Sequence, residues 1–81
     1  MKARVFVTLK STVLDPQGQT VRNALNGLGH TAIASVRQGK YFEIGLSDNL
    51  SREEVIREVE TIAHDVLANP VIEEYRVEIV E

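Results

Sequence analysis

The side chains that could do acid–base chemistry are concentrated in one segment of the sequence. Four glutamates stand close together there, Glu53, Glu54, Glu58 and Glu60. A catalytic carboxyl group needs to be desolvated and near a chemical partner. The same acids also suit the start of a helix, because carboxylates favour the positive end of the helix dipole. We interpret these glutamates as a solvated helix face and not as a catalytic pair.

Two histidines, His30 and His64, are the other candidates for acid–base or metal chemistry. Neither has a second histidine four residues along the chain, and a metal site needs several converging ligands. We therefore predict two surface histidines. No serine stands in a Gly-x-Ser-x-Gly elbow, and the sequence contains no glycine-rich phosphate loop. No set of residues in this sequence predicts a catalytic site.

The length of the chain limits the number of domains that it can form. Its 81 residues predict one domain over 1–81. A domain of this size buries only about 60–65% of the surface that its unfolded chain exposes. Small domains often gain stability by oligomerisation, so we expect at least a homodimer, with a tetramer as a further possibility.

The net charge and composition of the chain disfavour several classes of binding partner. The net charge is −3, which disfavours nucleic-acid binding because phosphates attract lysine and arginine. The sequence has no polybasic patch for an anionic membrane, no apolar run near the ~20 residues of a membrane span and no signal-peptide pattern at its start. It has no cysteines, which excludes disulfides and cysteine zinc sites. We expect a cytoplasmic protein.

Hydrophobic periodicity predicts the elements that position the polar residues. Alternation over Arg4–Lys10 indicates a strand with Val5, Val7 and Leu9 on its core face. Asp15-Pro16 indicates a turn. A helix is predicted from about Gln17 or Gly18 to Leu28, with Gly29 as its left-handed C-terminal residue.

The second half of the sequence repeats this order of elements. Strands are predicted over 33–36 and 41–46, joined by a hairpin at 37–40 in which Gly39 adopts positive φ. A polar loop over 47–49 follows. Ser51 and Glu54 form a capping box, and the second helix runs from there to about Ala68, where Asn69-Pro70 stops it. The last strand covers 73–80.

The resulting order, β-α-β-β-α-β, predicts an α+β fold of the ferredoxin-like kind, with an antiparallel sheet and two helices on one face. The other face of the sheet is then open. We expect Phe6, Val80 and either Tyr41 or Phe42 to lie on it. A partly apolar open face on a small domain suggests contact with a second copy, so Phe6, Tyr41 and Val80 are our candidates for a dimer face.

Charged and polar residues cluster at the ends of these elements. They are Lys10, Asp15, Arg37, Lys40, Asn69 and Glu73. Turn chemistry accounts for Asp15 and Asn69. Nothing in a turn requires Lys10, Arg37 or Lys40, although exposed charges are usually only solvated surface.

Six short motifs stand in order along this sequence, namely Leu9-Lys10, Val13 through Gly18, Ala24-Leu25, Leu28-Gly29, Val36 through Lys40 and Leu67 through Tyr75. Together they resemble the PurS family, the small subunits of phosphoribosylformylglycinamidine synthase. The resemblance spans nearly the whole chain and implies a non-catalytic adaptor in purine biosynthesis. It further implies that the chain bridges a glutaminase subunit and a large synthetase subunit that uses ATP and Mg²⁺, assists ammonia transfer, and binds no cofactor itself. The six loop-end residues then become candidates for the partner interface.

Three other functions remain open at this point. ACT-like domains, which bind small regulatory molecules, share this order of elements and carry a turn similar to Asp15-Pro16-Gln17-Gly18. Acylphosphatases also share it, but Lys10-Ser11-Thr12 lacks their arginine-bearing phosphate loop. RNA-binding domains of this topology stack bases on sheet aromatics, and the acidic charge of this chain disfavours that function.

Overall fold

The chain is described here from a computed structural model, which covers residues 1–47 and 49–80. Three strands and two helices follow one another as β1 (Lys2–Leu9), α1 (Pro16–Gly27), β2 (Gly39–Gly45), α2 (Arg52–Ile62) and β3 (Glu73–Val80). The sheet has the order β2-β1-β3, and both pairings are antiparallel. The predicted α+β class with an antiparallel sheet and two helices is confirmed. Within the described residues, no helix is both long and apolar enough to span a membrane.

Strand β1 is the centre of the sheet because it pairs with both β2 and β3, and its side chains alternate between the two faces. Ala3, Val5 and Val7 are fully buried, as the alternation predicted for the two valines. Opposite Val5 lie Phe42 on β2 and Val77 on β3. This register places Phe42 on the core face and resolves the choice between Tyr41 and Phe42 in favour of Tyr41 for the open face.

Helix α1 begins and ends close to the predicted positions. Asp15 is its N-cap and Pro16 its first residue, where a proline loses no hydrogen bond. At the C-terminus, His30 N donates to Leu25 O and Gly29 N donates to Asn26 O, which is a Schellman motif. Gly29 has φ 102°, so its predicted left-handed conformation is confirmed.

Helix α2 is capped by Ser51, whose hydroxyl accepts a hydrogen bond of 3.2 Å from Glu54 N. Of the two hydrogen bonds in the predicted capping box, the one accepted by the serine hydroxyl is thus present. The helix continues past Ile62 as a π-helical turn over Ala63–Leu67 and ends before Asn69-Pro70, as expected. Its buried residues are Val55, Val59 and Ala63. Of the polar loop predicted over 47–49, Asp48 lies outside the described residues.

The strand predicted over 33–36 and the hairpin predicted over 37–40 are wrong. Residues 33–38 form no strand, and β2 begins directly after them at Gly39. Gly39 lacks the positive φ that we expected. It is instead the first residue of β2, where a β-carbon would lie 2.4 Å from Val7 O. Hydrogen bonds from Arg37 to Lys10 O and from Gln38 N to Asp15 fix this segment against the loop after β1.

The prediction that both helices cover one face of the sheet also needs correction. In the described part of the chain, the hydrophobic core is built from β1, α2 and the segment that follows α2, without any side chain of α1. The molecule is correspondingly long, 51 × 26 × 14 Å. Helix α1 and residues 28–38 project beyond the sheet because the chain does not turn back at 37–40.

Candidate functional site

Asp15 stands at the end of the sheet where β1 gives way to α1. Its side chain is only 4% exposed. One carboxylate oxygen accepts a hydrogen bond of 2.8 Å from Gly18 N, and the other accepts one of 2.8 Å from Gln38 N. The bond from Gln38, followed by the one from Gly18, holds the pKa of Asp15 below its usual value. Asp15 therefore caps α1 and fixes the entry to β2 with a single charged group.

Arg37, which lies just before β2, stabilises the same junction. Its Nη2 donates to Lys10 O at 2.9 Å and to Val13 O at 3.1 Å, with a longer contact of 3.4 Å to Leu9 O. A guanidinium group can bridge several carbonyls because its donors are fixed in a plane. The loop after β1 is thereby tied to residues 36–38. We call this arrangement of Asp15 and Arg37 the clamp.

Lys40, Glu73 and Asn69 form a second group of contacts at the same end of the sheet. The Lys40 ammonium lies 3.5 Å from a Glu73 carboxylate oxygen and donates to Leu67 O at 3.3 Å. The other oxygen of Glu73 accepts a bond of 2.7 Å from Asn69 N. Asn69 Oδ1 in turn accepts from Val71 N. This group ties the end of α2 to the start of β2 and β3.

Lys10 differs from the other five predicted residues. Its backbone N–H donates to Ile72 O at 2.9 Å, which joins the two loops at this end of the molecule. In the described residues, its ammonium group takes part in no hydrogen bond or ion pair. Exposed apolar side chains on the joined loops lie nearby in the chain, namely Leu14, Val71 and Ile72.

The structure thus brings the six loop-end residues to one end of the sheet, which we call the junction surface. A cavity of about 330 Å³ opens there, lined by Leu9, Asp15, Gln17, Gln38, Gly39, Lys40 and Glu73. Sequence reasoning did not identify Gln38, which bonds Asp15, or Gly18, where a β-carbon would lie 2.2 Å from Val36 O. No local signal marks Gln38, because only its backbone N–H is used.

The open face of the sheet carries the three residues predicted for it. Cross-strand pairing puts Phe6 opposite Tyr41, and Val80 opposite Lys2 on the same face. The Phe6 and Tyr41 rings lie 5.1 Å apart, and the Arg76 guanidinium sits 4.5 Å above the centre of the Phe6 ring. The Lys2–Glu43 and Arg76–Glu78 ion pairs flank these rings. The face is therefore an aromatic centre bordered by charges.

The glutamates and histidines found in the sequence do not converge on a common site. Glu60 accepts a hydrogen bond from the Tyr75 hydroxyl, which raises the pKa of that tyrosine. His64 pairs with Asp65 at 2.7 Å, and both side chains are more than half exposed. His30 contributes its backbone N–H to the end of α1. In residues 1–47 and 49–80 there is no group of three metal-ligating side chains.

Comparison with known proteins agrees with this picture. Residues 2–81 match the family model PurS, described as phosphoribosylformylglycinamidine (FGAM) synthase. Subunit PurS of that synthase from Mycobacterium leprae is 45% identical over 76 residues, covering 94% of this chain and 91% of the relative. The Bacillus subtilis subunit is 40% identical over 80 residues, covering 99% and 93%.

Solved structures with the same fold come from the same family. Methanocaldococcus jannaschii PurS, described as one of the subunits of formylglycinamide ribonucleotide amidotransferase, superposes with a TM-score of 0.82 at 41% identity, covering 99% of this chain and 98% of that one. A chain of the Thermotoga maritima PurLQS structure gives a TM-score of 0.80 at 29% identity, covering 95% and 93%. The chain belongs to the PurS family, the small subunits of phosphoribosylformylglycinamidine synthase.

Proposed function

We propose that this chain is a non-catalytic adaptor subunit of phosphoribosylformylglycinamidine synthase in purine biosynthesis. In this role it bridges the glutaminase subunit and the large ATP- and Mg²⁺-dependent synthetase subunit, in the cytoplasm. The observation that carries the proposal is the family match over residues 2–81, together with the relative that was solved as part of PurLQS. The ACT-like alternative is not favoured, because every relative named above is a PurS protein.

The chemistry of ammonia explains how a non-catalytic adaptor can serve the reaction. Ammonia released from glutamine becomes protonated in bulk water and then no longer acts as a nucleophile. Subunits that exclude water from its route therefore serve the reaction without contributing a reacting group. A docking subunit needs a surface of fixed shape, since ordering it on binding costs free energy. The clamp supplies this rigidity at the junction surface.

Within the junction surface we assign different roles to the six residues. Lys10 offers an ammonium group with no partner in the described residues, so we propose that it contacts an acidic group of a larger subunit. Asp15 and Arg37 act as positioning residues through the clamp. Lys40, Asn69 and Glu73 hold the adjacent loop in place.

We also propose that the chain works as a homodimer, which can pair further into a tetramer. Small domains commonly complete their burial of apolar surface in this way. Phe6, Tyr41 and Val80 on the open face are one candidate surface for this contact.

The adaptor role is tested by reconstituting the synthase from its separately purified subunits. We expect glutamine-dependent turnover to require this chain, while turnover supplied with free ammonia needs it far less. Lys10→Ala should weaken assembly with the larger subunits. Arg57→Ala is the control for the loss of one positive charge, because Arg57 is exposed on α2 and is not a residue of the junction surface. The proposal fails if glutamine-dependent turnover is the same with and without the chain.

A further inference from the structure

Charge is distributed unevenly along the chain. Residues 1–40 carry six basic and one acidic side chain, a net charge of +5, whereas residues 41–81 carry three basic and eleven acidic side chains, a net charge of −8. This asymmetry attracts anions to the first half of the chain. Within the described residues, α1 and residues 28–38 of this half contribute no side chain to the hydrophobic core. A ligand can therefore bind there without disturbing the core.

A cavity of about 180 Å³ lies between α1 and the segment that follows it. The two approach closely at Gly18, where a β-carbon would lie 2.2 Å from a carbonyl oxygen of the following segment. Gln19 and Arg22, which are neighbours on one helical face, line the cavity from α1. Ser35 and Arg37 line it from the other side. Four side chains that can donate hydrogen bonds thus border one small space.

Most of these donors have no partner within the chain. In residues 1–47 and 49–80, the side chains of Gln19, Arg22 and Ser35 take part in no hydrogen bond or ion pair. Arg37 uses only its Nη2 atom, which donates to carbonyl oxygens of the loop after β1. Its Nε and Nη1 atoms carry further N–H groups. The bonds of Nη2 also restrain this side chain, which lowers the entropy cost of binding a ligand.

One acid borders the cavity, and it does not cancel the two guanidinium groups. Both carboxylate oxygens of Asp15 already accept hydrogen bonds, from Gly18 N and Gln38 N. With two arginines and one aspartate, the lining carries a net charge of +1. A concave site of one sign concentrates ions of the opposite sign. The cavity is therefore suited to an anion.

The donors and the size of the cavity indicate the class of anion. A phosphate monoester presents three acceptor oxygens and a charge of about −1.5 to −2 at pH 7, and guanidinium groups bind such oxygens in pairs. A carboxylate offers fewer oxygens and a single charge to donors that converge from two segments. The volume of about 180 Å³ is smaller than the ~300–1,000 Å³ of pockets that enclose a whole drug-sized ligand. The cavity thus accommodates a phosphate group and leaves the rest of the ligand outside.

We propose that the cavity between α1 and residues 34–37 binds the phosphate group of a small phosphate monoester. Arg22 and Arg37 contact its oxygens from the two segments, and Gln19 and Ser35 donate further hydrogen bonds. Binding ties α1 to the segment that follows it and stabilises the folded chain. The inference goes beyond the adaptor role and does not depend on it.

The first experiment follows the backbone amide signals of the isolated chain by NMR during titration with inorganic phosphate. The ionic strength is held constant with sodium chloride, because salt screens exposed charges. We expect saturable shifts at Gln19, Arg22, Ser35 and Arg37, with a dissociation constant of about 1 mM. Ribose 5-phosphate is the second probe, since the family is named for a phosphoribosyl compound. Acetate, the carboxylate probe, should bind about 10-fold more weakly or worse.

Three variants test the assignment of the donors. Arg22→Ala removes an exposed side chain and should raise the dissociation constant for phosphate by about 10-fold or more. Arg22→Lys should lie between this variant and the parent chain, because an ammonium group does not pair with two oxygens at once. Arg57→Ala removes one positive charge from the exposed surface of α2, outside the cavity, and should bind as the parent chain does. Circular dichroism should show helix content retained in all three.

Thermal melts give a second measurement that does not require signal assignment. Phosphate stabilises many proteins by exclusion from their surface, so its effect is compared between variants. We expect phosphate to raise the melting temperature of the parent chain and of Arg57→Ala by more than that of Arg22→Ala.

Three results would overturn the proposal. They are the absence of saturable shifts with phosphate, equal dissociation constants for Arg22→Ala and Arg57→Ala, and binding of acetate as tight as that of phosphate. The last result would assign the cavity to a carboxylate instead. All these measurements use the isolated chain, so their failure leaves the adaptor role intact, and failure of the reconstitution leaves this proposal intact.

Discussion

The Asp15 carboxylate accepts a hydrogen bond of 2.8 Å from the backbone N–H of Gln38, 23 residues further along the chain. The other oxygen of the same carboxylate caps α1 through Gly18. One side chain therefore sets both the start of the helix and the entry to β2.

Stability should depend on the ionisation of Asp15. Its pKa is lowered in the folded chain, so its contribution is complete above the unfolded pKa of about 3.9 and is lost as the pH falls through the folded value. We expect Asp15→Asn to unfold at a lower temperature at pH 7, because an amide nitrogen cannot accept one of the two bonds. The loss of stability between pH 5 and pH 3 should be smaller in the variant than in the parent chain.

The measurement is a series of thermal melts across this pH range. Glu53→Gln, which removes an exposed carboxylate from the first turn of α2, controls for the change in net charge. An Asp15→Asn variant with the same pH dependence as the parent chain would contradict the role of the clamp.

Substitutions at Arg37 and Lys10 should have different effects. We expect Arg37 to act as a structural residue and Lys10 as a docking residue. Arg37→Ala removes the bonds to Lys10 O and Val13 O, and we expect it to cost about 1 kcal/mol in unfolding free energy. Lys10→Ala should change stability by less than about 0.5 kcal/mol and still weaken co-purification with the larger subunits. Urea unfolding and pull-down on the same two variants provide the comparison, and a reversed pattern would refute the assignment.

Gly39 should tolerate no β-carbon. In Gly39→Ala the new atom would lie 2.4 Å from Val7 O and 2.9 Å from Thr8 Cγ2, and we expect a loss of about 1–3 kcal/mol. Gly45→Ala is the matched control in the same strand, with no atom within 4 Å of the new carbon. It should be neutral or stabilising by about 0.5 kcal/mol. The test is to measure the denaturant midpoints of both variants in parallel. Equal midpoints would contradict the prediction.

The stability of the fold should be sensitive to substitutions on only one face of α2. Val59 is fully buried, so Val59→Ala should cost about 2–3 kcal/mol, the lost transfer free energy plus the cavity. Ile56 on the same helix is 37% exposed. Although Ile56→Ala removes more carbon atoms, it should cost less. A lower urea midpoint with an unchanged m-value is the expected result for Val59→Ala, and a larger loss from Ile56→Ala would show that the core is misassigned.

Local patterns predicted the elements whose stabilising contacts lie close in sequence. The alternation in β1, the Ser51 cap of α2, the glycine at the end of α1 and the stop at Asn69-Pro70 all appear in the structure. The strand at 33–36 and the hairpin at 37–40 failed for the opposite reason. Their short apolar run and turn residues agree with a hairpin, but Gln38 N bonds Asp15 and Arg37 bonds Lys10 O and Val13 O. Each of these partners is more than twenty residues away in sequence.

The same division applies to the candidate site. The six loop-end residues were found from the sequence because polar side chains cluster at the ends of the predicted elements, and turn chemistry does not account for Lys10, Arg37 or Lys40. Their division into clamp, loop support and one ammonium group with no partner among the described residues required the tertiary structure. The open-face residues Phe6, Tyr41 and Val80 were found by alternation, and their use as an interface stays a prediction.

The sequence by itself determined the strand and helix types, the caps and the family, since periodicity, capping residues and short motifs are properties of neighbouring positions. Only the tertiary structure decided that α1 leaves the sheet, that Gly39 enters β2 without a turn and that Arg37 is bound within the chain. The physical reason is that a buried carboxylate and a guanidinium group took backbone partners distant in sequence, and those bonds outweighed the local preference for a hairpin.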